Sequence, residues 1–96
     1  MKRYFVYILA SQRNGTLYVG STSNLIQRIW QHKNGTFSGF TSKYRVHQLM
    51  YYEEHSTIVE MVRRERRLKN WCRKWKLDLV EKFNPTWRDL YQDICA

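Results

Sequence analysis

The constraint that most limits the fold of this chain is a turn. Asn14-Gly15 stands between the apolar run Tyr4 to Leu9 and a second run, Thr16 to Gly20. Asn and Gly tolerate positive φ, and both flanking runs are β-branched and aromatic, so the segment reads as an antiparallel hairpin. Alternate residues of a strand share a face, which puts Phe5, Tyr7 and Leu9 together and lets Tyr18 sit across from them. The hairpin therefore offers one place to two tyrosine hydroxyls, those of Tyr7 and Tyr18.

Ser23 or Asn24 caps a following helix, LIQRIWQHKN, which stops at Gly35. At 100° per residue Leu25 and Ile29 centre its apolar stripe, with Ile26 and Trp30 extending it on one side. Arg28 and His32, one turn apart, line the other edge of the stripe, at a core boundary. GTFSGFTSKY, from Gly35 to Tyr44, reads as a polar loop, and HQLMYYEE, His47 to Glu54, as a third strand. Thr57 and Glu60 form a capping box that starts a helix of about fifteen residues.

On that helix Ile58, Met61, Val62, Leu68 and Cys72 make an apolar face, while Arg63, Arg64, Arg66 and Arg67 point away. Glu65 falls in the middle of the apolar face. An ionised carboxylate in a dry interior costs several kcal/mol unless a positive group meets it. Two arrangements satisfy it: a structural pair with Arg28 or a tyrosine hydroxyl, or a metal ion at the floor of a cleft. The helical pattern continues through KNWCRKWKLDLVEKF with a break near Lys74, and Trp75, Leu79, Val80 and Phe83 form its packing set. Asn84-Pro85 ends it, and Pro85 opens a short final turn or helix in PTWRDLYQDI.

Ninety-six residues suit one compact domain spanning 1–96, because independent folding usually needs roughly 50 residues or more. Seventeen Lys and Arg against eight Asp and Glu give a net charge of +9, a field that draws polyanions. Arg63, Arg64, Arg66, Arg67, Lys69, Arg73, Lys74 and Lys76 form a basic belt with Trp71 and Trp75 interleaved, suited to phosphates and base stacking. The bland alternative is a solvated helix face. No zinc-ligand spacing joins Cys72, Cys95 and the three histidines. The two cysteines are expected as free thiols in a reducing cytoplasm. MKRYFVYILASQ lacks an A-x-A cleavage pattern, and no run approaches the ~20 apolar residues of a membrane span, so a soluble cytoplasmic protein is expected.

In order along the chain, VYI (Val6 to Ile8), YVG (Tyr18 to Gly20), Arg28-x3-His32, Glu65 within RRERRLKNW, and Asn84 in NPTWRDL form a set. This set resembles the GIY-YIG nuclease superfamily, and among it the small single-domain members akin to the N-terminal nuclease module of the bacterial repair protein UvrC. Val6 replaces the first glycine of the family pattern, and Val19 the isoleucine of its second triplet. The loop after the first helix lacks the histidine of some members, leaving Lys43 or Tyr44 in its place.

The resemblance implies an α+β fold, a small three-stranded antiparallel sheet flanked by helices. It also implies a metal-dependent endonuclease acting on DNA in repair or recombination. Glu65 would hold Mg²⁺ or Mn²⁺, and Tyr7 would act as general base once positive charge from Arg28 and the metal favours its phenolate. Arg28 would also grip the scissile phosphate, Tyr18 would orient phosphate or water, and His32 would bond Tyr7 or relay its proton. Asn84 would fix geometry. Lys43 would join the basic belt in binding. The alternative is a nucleic-acid-binding protein on the same scaffold with weak or no turnover. No sequence-reading module is present, so specificity would come from branched or single-stranded shape, or from a protein partner.

Overall fold

A computed structural model describes residues 2–35 and 43–96. Three strands form one sheet: β1 (Tyr4–Ala10), β2 (Leu17–Thr22) and β3 (Gln48–His55). Their order is β2-β1-β3, and both pairings are antiparallel. Four helices complete the described chain: α1 (Leu25–Lys33), α2 (Ile58–Asn70), α3 (Arg73–Phe83) and α4 (Tyr91–Cys95). This is the expected α+β architecture. None of the described helices is long and apolar enough to cross a membrane.

The hairpin closes with the Ser11 amide donating to the Thr16 carbonyl at 3.0 Å. Its left-handed residue is Asn14, at φ 57°. An asparagine holds that conformation at little cost because its short polar side chain bonds locally. From α3, the Arg73 guanidinium donates to the carbonyls of both Asn14 and Gly15 at 2.6 Å.

Central strand β1 is covered on both sides, which is why it reads as a nearly unbroken apolar run. On one side Val6, Ile8, Val19 and Tyr51 pack with Met61, Leu68 and Val80 of α2 and α3. On the other, Phe5, Tyr7, Leu9 and Leu49 pack with Leu25 and Ile29 of α1 and with Leu90. The shared face of Phe5, Tyr7 and Leu9 is as the alternation predicts.

The Asn24 side chain caps α1, accepting the Gln27 amide at 3.2 Å. Thr57 caps α2 by accepting the Glu60 amide, also at 3.2 Å. Several packing expectations need correction. Ile26 and Trp30 are exposed, as are Ile58 and Val62; Trp75 and Phe83 are also exposed but pack by their edges, Trp75 on Trp71 and Phe83 on Tyr51 and Tyr52. Cys72 and Cys95 are free and exposed, so Cys72 leaves the predicted apolar face. The buried residues of α2 are Met61 and Leu68, while Ile58 and Val59 of its first turn are exposed.

The long helix breaks at Trp71–Cys72, not near Lys74. Both residues adopt extended backbone, and Cys72 starts α3. Strand β3 begins one residue later than His47 and includes His55. Pro85 opens a turn, one of the two expected forms, and the last helix forms only at Tyr91. Between them Leu90 donates its amide to the Leu49 carbonyl at 2.8 Å, and Asp89 accepts the Leu49 amide at 3.1 Å. Lys33 of α1 pairs with the same Asp89. Most of the predicted loop, residues 36–42, lies outside the described residues.

Candidate active site and basic face

The register of the hairpin assembles the first part of the site. Tyr7 pairs with Gly20 and Leu9 with Tyr18, so Tyr7 and Tyr18 project from one face of the sheet. A Cβ on Gly20 would stand 2.5 Å from the Tyr7 hydroxyl, so a bare backbone is required for the ring to pass. From α1, His32 reaches down onto this pair. The Tyr7 hydroxyl and His32 Nε2 are 3.0 Å apart, joined by a hydrogen bond. The Tyr18 ring tilts against the same imidazole with centroids 5.5 Å apart.

Burial and charge set the protonation of this group. His32 is only 4% exposed. Burial first, then the nearby charges of Arg28 and His47, pull its pKa down to about 4, so the ring is neutral at pH 7. Burial raises the Tyr7 phenol well above its ordinary value, with Tyr18 adding to the rise; Arg28 opposes it and Glu65 assists it. Arg28 is half-buried on α1, within electrostatic reach of both rings. Its charge does not make Tyr7 a phenolate; burial outweighs it.

Glu65 approaches from the other side of the sheet. It does not sit in the dry interior that its helical position predicts: its side chain is 21% exposed, at the edge formed by β2. Its partners are not Arg28 or a tyrosine. The Ser21 hydroxyl donates to Oε1, and Lys69, one turn along α2, pairs with Oε2 at 2.6 Å. Burial works to raise the Glu65 pKa, but the bonds from Lys69 and Ser21 outweigh it, and the group is held below its ordinary value. Sequence reasoning did not single out Ser21. The signal was present: it follows Gly20, so strand alternation turns it to the opposite face, where Val6 is its partner and α2 lies.

Tyr7, Tyr18, Arg28 and His32 thus gather around one edge strand, with Glu65 close enough to influence Tyr7. Asn84 stands apart from them. It is buried at the end of α3, donating from Nδ2 to the carbonyls of Arg88 at 2.8 Å and Met50 at 3.3 Å. Its Oδ1 accepts the Arg88 amide at 3.3 Å. These bonds fasten the C-terminal segment to β3.

The basic belt divides into two kinds of residue. Arg63, Arg66 and Arg67 are exposed on α2. Arg64 is turned inward, donating from Nε to Glu53 at 3.0 Å and lying 5.2 Å from the centroid of Trp71. Glu53 also accepts from Tyr51 and bonds His55, each at 2.5 Å. Arg73 grips the hairpin turn, Lys69 holds Glu65, and Lys76 approaches the Lys69 carbonyl at 3.4 Å. Lys74 pairs with Asp78 at 3.4 Å on an exposed face. Lys43 is exposed beside the ring of Tyr44, at 5.4 Å.

Among the described residues, no three His, Cys, Asp or Glu side chains come together as a metal-binding group. Oxygen donors at Glu65 consist of one carboxylate and the Ser21 hydroxyl. Such a set fits a hard divalent cation that keeps most of its water, and does not fit a site closed by protein ligands.

A family model described as the GIY-YIG catalytic domain matches residues 3–78, which include Tyr7, Tyr18, Arg28, His32 and Glu65. A UPF0213 protein of Staphylococcus epidermidis is 32% identical over 82 residues, 85% of this chain and 99% of that one. Its counterpart in Staphylococcus haemolyticus is 35% identical over 82 residues, with the same 85% and 99% coverage. The solution NMR structure of the UPF0213 protein BH0048 from Bacillus halodurans matches with a TM-score of 0.56 at 25% identity, over 91% of this chain and 92% of that one. With fold, residue order and relatives in agreement, the chain belongs to the GIY-YIG family.

Proposed function

We propose that this chain is a nucleic-acid-binding protein on the GIY-YIG scaffold, with a phosphodiester-hydrolysing centre that is weak in the free protein. The observation that carries this reading is the engagement of Glu65. Its carboxylate is already neutralised by Lys69 and bonded by Ser21. The exposed arginines of α2 and the net charge of +9 support binding to a phosphate backbone.

Glu65 with Ser21 would hold Mg²⁺ or Mn²⁺ once Lys69 moves aside. When bound, the ion supplies Lewis-acid stabilisation of phosphodiester charge. Proton transfer from Tyr7 to His32 is uphill here, because burial raises the first group and lowers the second. A phosphate seated on Arg28 would bring the charge-assisted bonds this cluster is built to make.

A second reading is a fully active DNA endonuclease or nickase, akin to the UvrC nuclease module and acting in repair or recombination. The 3.0 Å Tyr7–His32 bond beside Arg28 favours it. Tyr7 would take the proton of an attacking water and pass its own to His32, Arg28 would stabilise the growing phosphate charge, and Tyr18 would orient the reacting groups. Specificity in either reading comes from branched or single-stranded DNA, or from a protein partner.

The experiment is a cleavage and binding panel on branched, nicked and linear DNA with Mg²⁺ or Mn²⁺, beside Glu65→Ala and Tyr7→Phe. Tight binding with little or no cleavage supports the first reading. Efficient metal-dependent cleavage, lost in both variants while binding survives, replaces it with the second. Absence of binding at low salt overturns both.

A further inference from the structure

Trp71, at the end of α2, and one face of α3 along its length form an open groove lined by Trp71, Trp75, Asp78, Leu79 and Lys82. Trp75 is 55% exposed, so much of its indole faces solvent. Trp71 and Trp75 meet edge to face, with centroids 5.8 Å apart and planes at 90°. Trp71 is fixed in advance: Arg64 lies over its ring and is itself held by Glu53. The groove therefore presents one anchored indole, one open indole, a cation and a carboxylate.

We propose that this groove takes an unpaired nucleobase, so that the protein prefers single-stranded segments to continuous duplex. The inference rests on the nucleic-acid-binding reading above and names the strand it selects. An indole face stacks on any base, but a base offers its own face only when it has left the double helix. Lys82 supplies charge for the adjoining phosphate, and the Asp78 carboxylate accepts from exocyclic amino groups of bases. The groove adjoins the helix that carries the candidate site's carboxylate. Trp71 ends the helix that carries Lys69 and Glu65, and Lys76 lies against the Lys69 carbonyl between them.

The test compares wild type, Trp75→Ala and Trp75→Phe for binding to a single-stranded deoxyoligonucleotide, its ribonucleotide equivalent and the matching duplex, at one fixed salt concentration. Tryptophan emission reports stacking directly. The expected result is roughly a tenfold or greater loss of single-strand affinity in Trp75→Ala, with weakened quenching, retention in Trp75→Phe and unchanged duplex binding. The two oligonucleotides show which sugar the groove accepts, and loss on either supports it. Equal affinities for wild type and Trp75→Ala, or an equal loss on single strand and duplex, overturn the groove while leaving nucleic-acid binding intact. No binding by wild type to any of the three overturns both. Equal melting temperatures for the variants establish that folding is unaffected.

Discussion

The Tyr7 ring lies against the bare Cα of Gly20, on the neighbouring strand, so closely that a methyl group there would stand 2.5 Å from the phenol oxygen. The two tyrosine-centred triplets are therefore one device. The first places a phenol in the sheet, and the glycine of the second opens the path by which it reaches His32. Gly20→Ala is expected to displace the ring, break the 3.0 Å bond to His32 and destabilise the fold by about 1–3 kcal/mol, the usual cost of overpacking. Urea denaturation measures the loss, and the His32 ring resonances report the broken bond. A variant with wild-type stability and unshifted resonances would show that the strands separate without cost and that the close approach is unimportant.

His32 makes stability depend on pH in a defined window. Its pKa is about 4 in the folded protein, against 6.5 as the ordinary value. Between those values the unfolded chain binds a proton that the folded chain refuses, so acid favours unfolding. The contribution is whole above pH 6.5 and is lost as pH falls through 4, and it amounts to about 3 kcal/mol at most. Denaturation midpoints measured from pH 4 to 8 should rise across the window in wild type and flatten in His32→Gln. Parallel curves for the two proteins would assign the pH dependence to other groups.

Arg73 and Arg66 belong to the same basic run in sequence and separate in function. Arg73 bonds two carbonyls of the β1–β2 turn, whereas Arg66 is exposed on α2. Arg73→Ala should lower stability by about 1–2 kcal/mol through the two lost charge-assisted bonds. Arg66→Ala should leave stability within about 0.5 kcal/mol and reduce the salt dependence of DNA binding by about one counterion. Thermal unfolding and binding isotherms over a range of salt test the pair. The reverse assignment, with Arg66 needed for folding and Arg73 for binding, would contradict the geometry.

What could be read along the chain is what depends on short-range rules. Strand alternation placed Phe5, Tyr7 and Leu9 on one face, side-chain chemistry narrowed the first cap to Ser23 or Asn24 and identified the second at Thr57, and the Asn14-Gly15 turn fixed the hairpin. The failures come from packing at a distance. Helical periodicity assigns Ile58 and Val62 to the interior, but it cannot say where α2 leaves the sheet. It also centres Glu65 on the apolar face, whereas the edge position of β2 leaves that carboxylate partly exposed and within reach of Ser21. The break at Trp71–Cys72 carries no glycine or proline to announce it. The resemblance groups Asn84 with the site residues, yet its bonds to Met50 and Arg88 form only after the C-terminal segment folds back on β3.

Lys69 is the residue on which turnover should depend. It holds Glu65 at 2.6 Å, and a divalent cation at that carboxylate must displace it or sit beside a like charge. Lys69→Met keeps the aliphatic stem and removes the ammonium. Without it the Glu65 pKa rises toward its ordinary value, because Lys69 is the principal group opposing burial, and the carboxylate becomes open to a cation. Mn²⁺ affinity, measured by calorimetry on the free protein, is expected to increase severalfold in Lys69→Met and to vanish in Lys69→Met combined with Glu65→Gln. Metal-dependent cleavage should increase with it if the ion is limiting, while DNA binding weakens by the single lost charge. If Mn²⁺ affinity falls in Lys69→Met, Lys69 orients the carboxylate for the ion rather than competing with it, and the weakness of the free centre needs another cause.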